Sequence, residues 1–363
     1  MPAKILQEFD NYVKSLSSKD RVGILTDNDT DGITAGVLVF KALYQITGKF
    51  PELVLFAPKR SAPISEETVK ELKKKKINKF ICTDISLDQE SRLLFAKKIA
   101  KFAKILNIDH HKVYGKLPKG SVLVKPQFFS KKESSSYCSA KLCFDLFSRH
   151  ASLKGSEWIA IVGLFGDKAE KDWPDFLEAH LNHNPSKAKL EQLNETLTAV
   201  RILDFPRIPD CFNNLLSTEP KTALNAFFKY NKKYEKILDK GEKAFWKNAE
   251  CFPGLEYCFY FSEENHTSAS ALINRISDKA KNTTLIIAQN ADNGISFSSR
   301  RQDRKVAVND LLEEAVKNLN GGTAGGHAPA AGGKIRAQDL QKFRQNVLEI
   351  LERKYAAARK KKY

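Results

Sequence analysis

Four groups of acidic and imidazole residues recur through the first half of the chain. They are Asp27-Asn28-Asp29-Thr30-Asp31-Gly32, then Asp84, then Asp109-His110-His111, then Asp167, and each lies just beyond an apolar run. Carboxylates and imidazoles are costly to bury without partners, so their recurrence at the ends of apolar elements points to convergence on cations. Two divalent ions about 3.5–4 Å apart would polarise a phosphoryl group and acidify a water, the chemistry of phosphodiester hydrolysis. A calcium loop is excluded, because the position that would need a glutamate is Leu38. His is the commonest nitrogen ligand of transition metals and needs an orienting partner, which suits His110 as a ligand and His111 to contact phosphate or orient the site.

The elements that must carry these groups are legible in the apolar pattern. Strands are predicted over residues 21–26, 53–57, 79–83, 103–108 and 122–125. Helices are predicted over 32–44, 65–76, 86–98, 136–147 and 157–164. Such alternation implies a mainly parallel sheet covered on both faces, whose ligands bind at the carboxyl ends of strands. Asp27, Asp84 and Asp109 fall where that rule puts chemistry. An extended turn would set Asp29 and Asp31 on the same side, each facing a different ion, with Gly32 allowing a tight exit into the helix.

Residues 180–245 change character. Asn182-His183-Asn184-Pro185 and Ile208-Pro209-Asp210 read as breaks within a charged helical connector. A second α/β unit begins near residue 255, with strands over 257–261, 284–288 and 294–298 and a helix over 308–319. The glycine-rich segment 321–333 reads, by itself, as a flexible loop. A final helix over 337–358 carries Leu340, Phe343, Val347, Ile350 and Leu351 on one stripe and ends in Arg359-Lys360-Lys361-Lys362.

Composition narrows the function. A chain of 363 residues exceeds one ordinary core, so two domains are expected. No apolar run approaches the ~20 residues of a membrane span, and the first residues lack the apolar core of a signal peptide, so a cytoplasmic location is expected. The net charge of +17 favours polyanionic partners. No pair among the six cysteines has C-x-x-C spacing, and their apolar contexts suggest buried thiols in a reducing compartment. His180 and His183 read as solvated surface, and Lys73–Lys76 as a charged helix face.

The order Asp-x-Asp, Asp, Asp-His-His, Asp resembles the DHH phosphoesterase superfamily. The opening Asp27-x-Asp29-x-Asp31-Gly32 looks most like its RecJ-type branch. Gly325-Gly326-His327-x-x-Ala330-Ala331-Gly332 and Ser296-x-Ser298-Ser299-Arg300 resemble the substrate-binding motifs of the DHH-associated C-terminal domain. The resemblance spans residues 20–345. It implies two α/β domains joined by a helical connector: an N-terminal parallel-sheet DHH catalytic domain over 1–180, the connector over 181–245, and a smaller DHH-associated substrate-binding domain over 246–363 with a C-terminal helix and basic tail. By the same resemblance, Asp29 looks like a ligand of the first metal and Asp31 of the second. Asp84 would bridge both, and His110 and Asp167 would complete the second site. Asp27 would be a ligand or water holder. His327 and Arg300, with Ser298, Gly325 and Gly326, would hold substrate phosphate or the terminal nucleotide. Two Mn²⁺ ions are expected, with Mg²⁺ or Co²⁺ as substitutes. The expected substrate is single-stranded nucleic acid or short oligonucleotides, with a replication or repair protein as partner. The implied activity is a RecJ-like exonuclease. Alternatives are an oligoribonuclease or cyclic-dinucleotide phosphodiesterase, a pyrophosphate or polyphosphate hydrolase, and a non-catalytic replication or repair scaffold.

Overall fold

The apolar runs before the acidic groups fold as buried strands. A computed structural model describes residues 2–58, 62–181, 185–263, 269–291 and 294–360. Asn182, His183, Asn184, Lys361 and Lys362, all part of expectations drawn from the sequence, lie outside the described residues. The strands β1 (Val22–Thr26), β2 (Leu53–Phe56), β3 (Lys79–Thr83), β4 (Lys104–Ile108) and β5 (Val122–Val124) pair in parallel in the order β2-β1-β3-β4-β5. Every residue of β1 and β3 is buried, as in strands covered on both faces. The chain leaves β1 to form β2 on one side and then returns to form β3 on the other. The topological switch point therefore lies at β1 and β3, where parallel sheets open a crevice for ligands.

The helices of this unit are α1 (Pro2–Lys14), α2 (Thr30–Thr47), α3 (Glu66–Lys74), α4 (Glu90–Ile99), α5 (Ser139–Phe147), α6 (Glu157–Gly166), α7 (Pro174–Leu181), α8 (Lys187–Leu203) and α9 (Ile208–Ser217). Ser65 caps α3 in a capping box with Thr68, satisfying two otherwise orphaned amides. Two expectations are corrected here. Ile208-Pro209-Asp210 is no break: it opens α9, because proline lacks only a donor that a first helical turn leaves unused. Residues 86–89 precede α4 rather than belong to it. One core runs through α1, α2, α5, α6, α8 and α9. Each fully buried Leu, Ile or Val in it contributes about 1.5–3 kcal/mol.

By contacts the chain divides into two compact units, Met1–Asn231 and Lys232–Tyr363. The second holds most of α10 (Lys229–Asn248), then β6 (Glu250–Phe252), β7 (Tyr257–Ser262), α11 (Ala269–Lys279), β8 (Thr284–Ala291), β9 (Gly294–Arg300), α12 (Val308–Val316), β10 (Thr323–His327), β11 (Ala330–Ile335) and α13 (Leu340–Lys360). Its sheet runs β10-β11-β9-β8-β7-β6, antiparallel except for the β7–β8 pair. The glycine-rich segment is thus a β-hairpin and not a loop. Its small residues let the two strands and β9 approach closely, since a Cβ at Gly333 would fall 2.1 Å from the Thr323 carbonyl oxygen. The reading of all six cysteines as buried thiols also fails. Cys251 and Cys258 face each other across β6 and β7 and form a disulfide, whereas Cys82, Cys138, Cys143 and Cys211 are free and buried. Fully buried Arg301 fastens this unit. Its guanidinium bonds the Glu256 carboxylate, Asp303 Oδ1 at 2.6 Å and the Tyr355 hydroxyl of α13 at 2.9 Å. Among the described residues, no helix is long and apolar enough to cross a membrane.

Candidate metal centre

The register aligns the ends of three strands. Thr26 of β1 pairs with Thr83 of β3, and Thr83 with Ile108 of β4. The next residues, Asp27, Asp84 and Asp109, therefore leave the sheet side by side. Asp29 is the N-cap of α2 and accepts a bond from the Gly32 amide at 2.9 Å. The helix begins at Thr30, so Asp31 occupies its first turn. The expectation of an extended turn carrying Asp29 and Asp31 is corrected, because the Asp29 cap starts the helix two residues early. Gly32 is required by space: a Cβ there would lie 2.6 Å from the Asp27 carbonyl oxygen.

Asp31 is fully buried. Its two oxygens accept the first amides of α5, Ser139 N–H at 2.7 Å and Ala140 N–H at 2.8 Å. Asp84 is buried with a backbone φ of 60°, a left-handed conformation that aspartate tolerates better than most side chains. Its Oδ1 accepts the Ser139 hydroxyl at 2.9 Å. His110 places Nε2 at 3.4 Å from Asp84 Oδ1 and 3.2 Å from Asp167 Oδ2, while its Nδ1 lies 3.3 Å from the Ser134 carbonyl. Asp167 is the C-cap of α6. Three sets of ligand atoms each lie within 4.8 Å of one another: Asp27, Asp29 and Asp84; Asp31, His110 and Asp167; and Asp84, Asp109 and His111.

The electrostatics of this cluster are dominated by burial and by repulsion between neighbouring carboxylates. Burial, with Asp29 beside it, pushes the Asp27 carboxyl up to about 6. Burial, then Asp167 and Asp29, holds Asp31 well above the usual range despite its two amide bonds. Asp84 is raised likewise by burial and then by Asp31 and Asp29. A divalent cation relieves that repulsion, and mixed oxygen and imidazole donors suit Mn²⁺ or Mg²⁺. The residues present therefore fit a metal.

Asp109 behaves oppositely. Burial alone would raise its carboxyl, but His111 and then Lys125 outweigh it and hold it well below the carboxylate range. His111 Nδ1 lies 2.7 Å from Asp109 Oδ1. Burial would lower this imidazole, yet Asp109 prevails and raises it. Lys125, with no exposed surface, reaches Asp109 Oδ2 at 2.7 Å and Asp88 Oδ1 at 3.0 Å. Ser86 donates to Asp109 Oδ2 at 2.8 Å.

Sequence reasoning missed several of these partners. Lys125 gave a faint signal, a lone cation ending the apolar run 122–124 beside two acidic strand ends. Asp88 was hidden in a segment that reads as helical. Arg201 of α8 bonds Asn28 Oδ1 at 3.4 Å and draws the Asp27 carboxyl down, although burial wins. It was hidden in a stretch that reads as a connector.

The remaining expected residues lie in the second unit, on β9 and β10. Across β11, Arg300 pairs with Ala330 and Ala330 with His327, while Ser298 pairs with Gly332 and Gly332 with Gly325. Directly opposed residues share a face, as do residues two apart. Ser298, Arg300, Gly325 and His327 therefore line one face of the sheet. It is the face opposite buried Phe297 and Ser299. Gly326 lies at φ 138°, where a side chain would be strained.

Comparisons with known proteins agree with this architecture. The sequence profile of the DHH family, N-terminal domain, matches residues 21–164, and that of the DHHA1 domain matches residues 255–353. The chain belongs to the DHH superfamily and carries a C-terminal DHHA1 domain. The fold of this DHH protein is RecJ-like. It resembles RecJ from Thermus thermophilus in complex with Mn²⁺ at a TM-score of 0.70 and 15% identity, covering 96% of this chain and 54% of that one. It thus spans about half the length of the Thermus protein. An exonuclease RecJ bound to manganese is similar at a TM-score of 0.64 and 16% identity, covering 96% of this chain and 94% of the other. The DHH domain of a member of the s1p family of ribosomal proteins is similar at 0.71 and 15%, covering 96% and 90%. No curated protein sequence matches.

Proposed function

We propose that this DHH protein is a metal-dependent phosphodiesterase that shortens single-stranded DNA or RNA from an end, as a RecJ-like exonuclease. The observation that carries the reading is the gathering of Asp27, Asp29, Asp31, Asp84, His110 and Asp167 from four separate segments around the carboxyl edge of the parallel sheet. Asp29, Asp31, Asp84, His110 and Asp167 would hold two ions, with Asp27 adding a further oxygen. Mn²⁺ is the first choice and Mg²⁺ or Co²⁺ substitutes. When bound, such ions polarise the phosphoryl group and acidify a water.

The chain's own residues do the rest. The α5 amides fix Asp31, and the Ser139 hydroxyl fixes Asp84. Ser134 aims the ring of His110, and Asp109 keeps a proton on His111 Nδ1. The imidazolium of His111 then donates from its other nitrogen to a phosphoryl oxygen as charge builds there. In the second unit, Arg300, Ser298 and His327 form a grip for the terminal phosphate or nucleotide, and Gly325 and Gly326 leave their backbone open to an anion. The reading places the protein in the cytoplasm, with a replication or repair protein as its partner.

The test is hydrolysis of end-labelled DNA and RNA single strands of both polarities with Mn²⁺, by wild type and Asp84→Ala. Wild type should cleave and the variant should not, while still binding the strand. Wild-type inactivity on every strand would sink the proposal and leave a binding scaffold. A rate that peaks on dinucleotides would move it to an oligonucleotide phosphodiesterase.

A further inference from the structure

Within the second unit, the sequence of α10 places lysines at residues 232, 233, 236, 240, 243 and 247. At 100° per residue these positions fall within one band, opposite the buried Tyr234, Leu238 and Phe245. All six are exposed. The acidic residues of the helix occupy the adjoining band, on the side of Trp246. Glu235, Asp239 and Glu242 are drawn to Arg275 of α11, and Glu242 also binds Lys279. Arg275 and Lys279 offset most of their charge within the unit, so the outer band is left basic. Among the described residues, Lys233, Lys236, Lys243 and Lys247 form no ion pair. Trp246 stands beside this band, half-exposed, three residues beyond Lys243. Its indole N–H donates to Glu242 Oε1 at 3.3 Å, and its ring meets Phe245 edge-on, so the ring is held in place.

We propose that this face of α10 is a docking surface for the backbone of single-stranded nucleic acid. From Lys233 to Lys247 the band runs about 21 Å, with a charge every ~4.5–6 Å along the axis. A straight, regular row of cations fits a polymer with regularly repeated phosphates. Trp246 supplies a flank on which a base can stack, and only an unpaired base can reach it. An anionic bilayer fits less well, because the apolar residues of α10, Tyr234, Leu238 and Phe245, are buried and cannot enter lipid. The inference rests on the nucleic-acid half of the proposed function and not on its hydrolytic half.

The test measures binding of a fluorescein-labelled oligothymidylate of roughly 20 nucleotides to the full chain by anisotropy, with chelator and no added metal. Salt is varied from about 50 to 200 mM. The variant is Lys236→Gln/Lys243→Gln/Lys247→Gln. The control, with the same change of net charge, is Lys70→Gln/Lys73→Gln/Lys74→Gln on α3. Removing three phosphate contacts should lower the slope of log affinity against log salt by about 2. Binding should weaken at least tenfold in the α10 variant, and the α3 control should stay near wild type. Trp246→Leu should weaken single-strand binding at least about fivefold and leave blunt-duplex binding unchanged. Circular dichroism and the thermal midpoint confirm that each variant is folded. Equal weakening by the two triple variants, an unchanged slope, or an equal loss on duplex overturns the proposal. Hydrolysis is not read here, so its failure elsewhere counts against the metal-centre reading alone.

Discussion

Replacing Lys125 by methionine should be among the most damaging single changes in the N-terminal unit. Lys125 is wholly buried and lies between Asp109 and Asp88, at 2.7 and 3.0 Å, both of them buried carboxylates. Its ammonium also donates to the carbonyls of Lys112 at 2.7 Å and His111 at 3.2 Å. Methionine nearly conserves volume, so the loss is electrostatic: two buried carboxylates lose their shared ammonium and are left to His111, Ser86 and backbone amides. Removing one member of a buried ion pair costs about 3–5 kcal/mol, chiefly because the surviving charge is left uncompensated. In a unit of this size each kcal/mol lowers the midpoint by about 2–4 °C, so a fall of about 6–20 °C is expected. The chain has three tryptophans, and two of them, Trp158 and Trp173, report on the N-terminal unit. Fluorescence-detected unfolding in a Trp246→Phe background therefore isolates the transition. Adding Asp109→Asn and Asp88→Asn to Lys125→Met removes the stranded charges and should recover most of the loss, a coupling that a mutant cycle measures. A loss below about 1 kcal/mol, or no recovery in the triple variant, would refute the account of Lys125 as the counter-charge of this network.

Two further outcomes rest on the same geometry. The raised carboxyls Asp27, Asp31 and Asp84 contribute stability while protonated, fully so below the unfolded value of about 3.9. That contribution is lost as pH rises through the folded value, about 6 for Asp27. A bound cation offsets the loss, so the rise in thermal midpoint on adding Mn²⁺ should be larger at pH 8 than at pH 5, and a larger rise at pH 5 would contradict it. Gly163→Ala should destabilise by about 1–3 kcal/mol and weaken Mn²⁺ binding by calorimetry. The new Cβ would sit 2.4 Å from Ala140 Cβ and 3.0 Å from Asp31 Oδ1, forcing α6 away from the acidic site. Full retention of both properties would mean that the helices give way more easily than their packing implies.

Much of the acidic site could be read from the chain because parallel sheets obey a simple rule. A run such as Val22–Thr26 buried on both faces must be apolar, and the residue after it must emerge at the carboxyl edge. Asp27, Asp84 and Asp109 are therefore legible as residues of one sheet edge, and the Asp-His-His tripeptide adds nitrogen to the oxygen donors. The α/β alternation and the capping of α3 by Ser65 were equally local, set by periodicity and by the hydrogen-bonding needs of a first helical turn.

Other features depended on partners far apart in sequence. Asp31 is held by α5 amides 108 and 109 positions away, and Lys125 became a counter-charge only when β5 came to lie beside β4. Pairing across strands likewise turned a glycine-rich stretch into a hairpin and brought Cys251 opposite Cys258. Residue type and spacing fix what a segment tends to do alone. Which buried charge meets which, and which strands become neighbours, is decided by long-range packing, because the cost of an unpaired group is set by its final surroundings and not by its place in the chain.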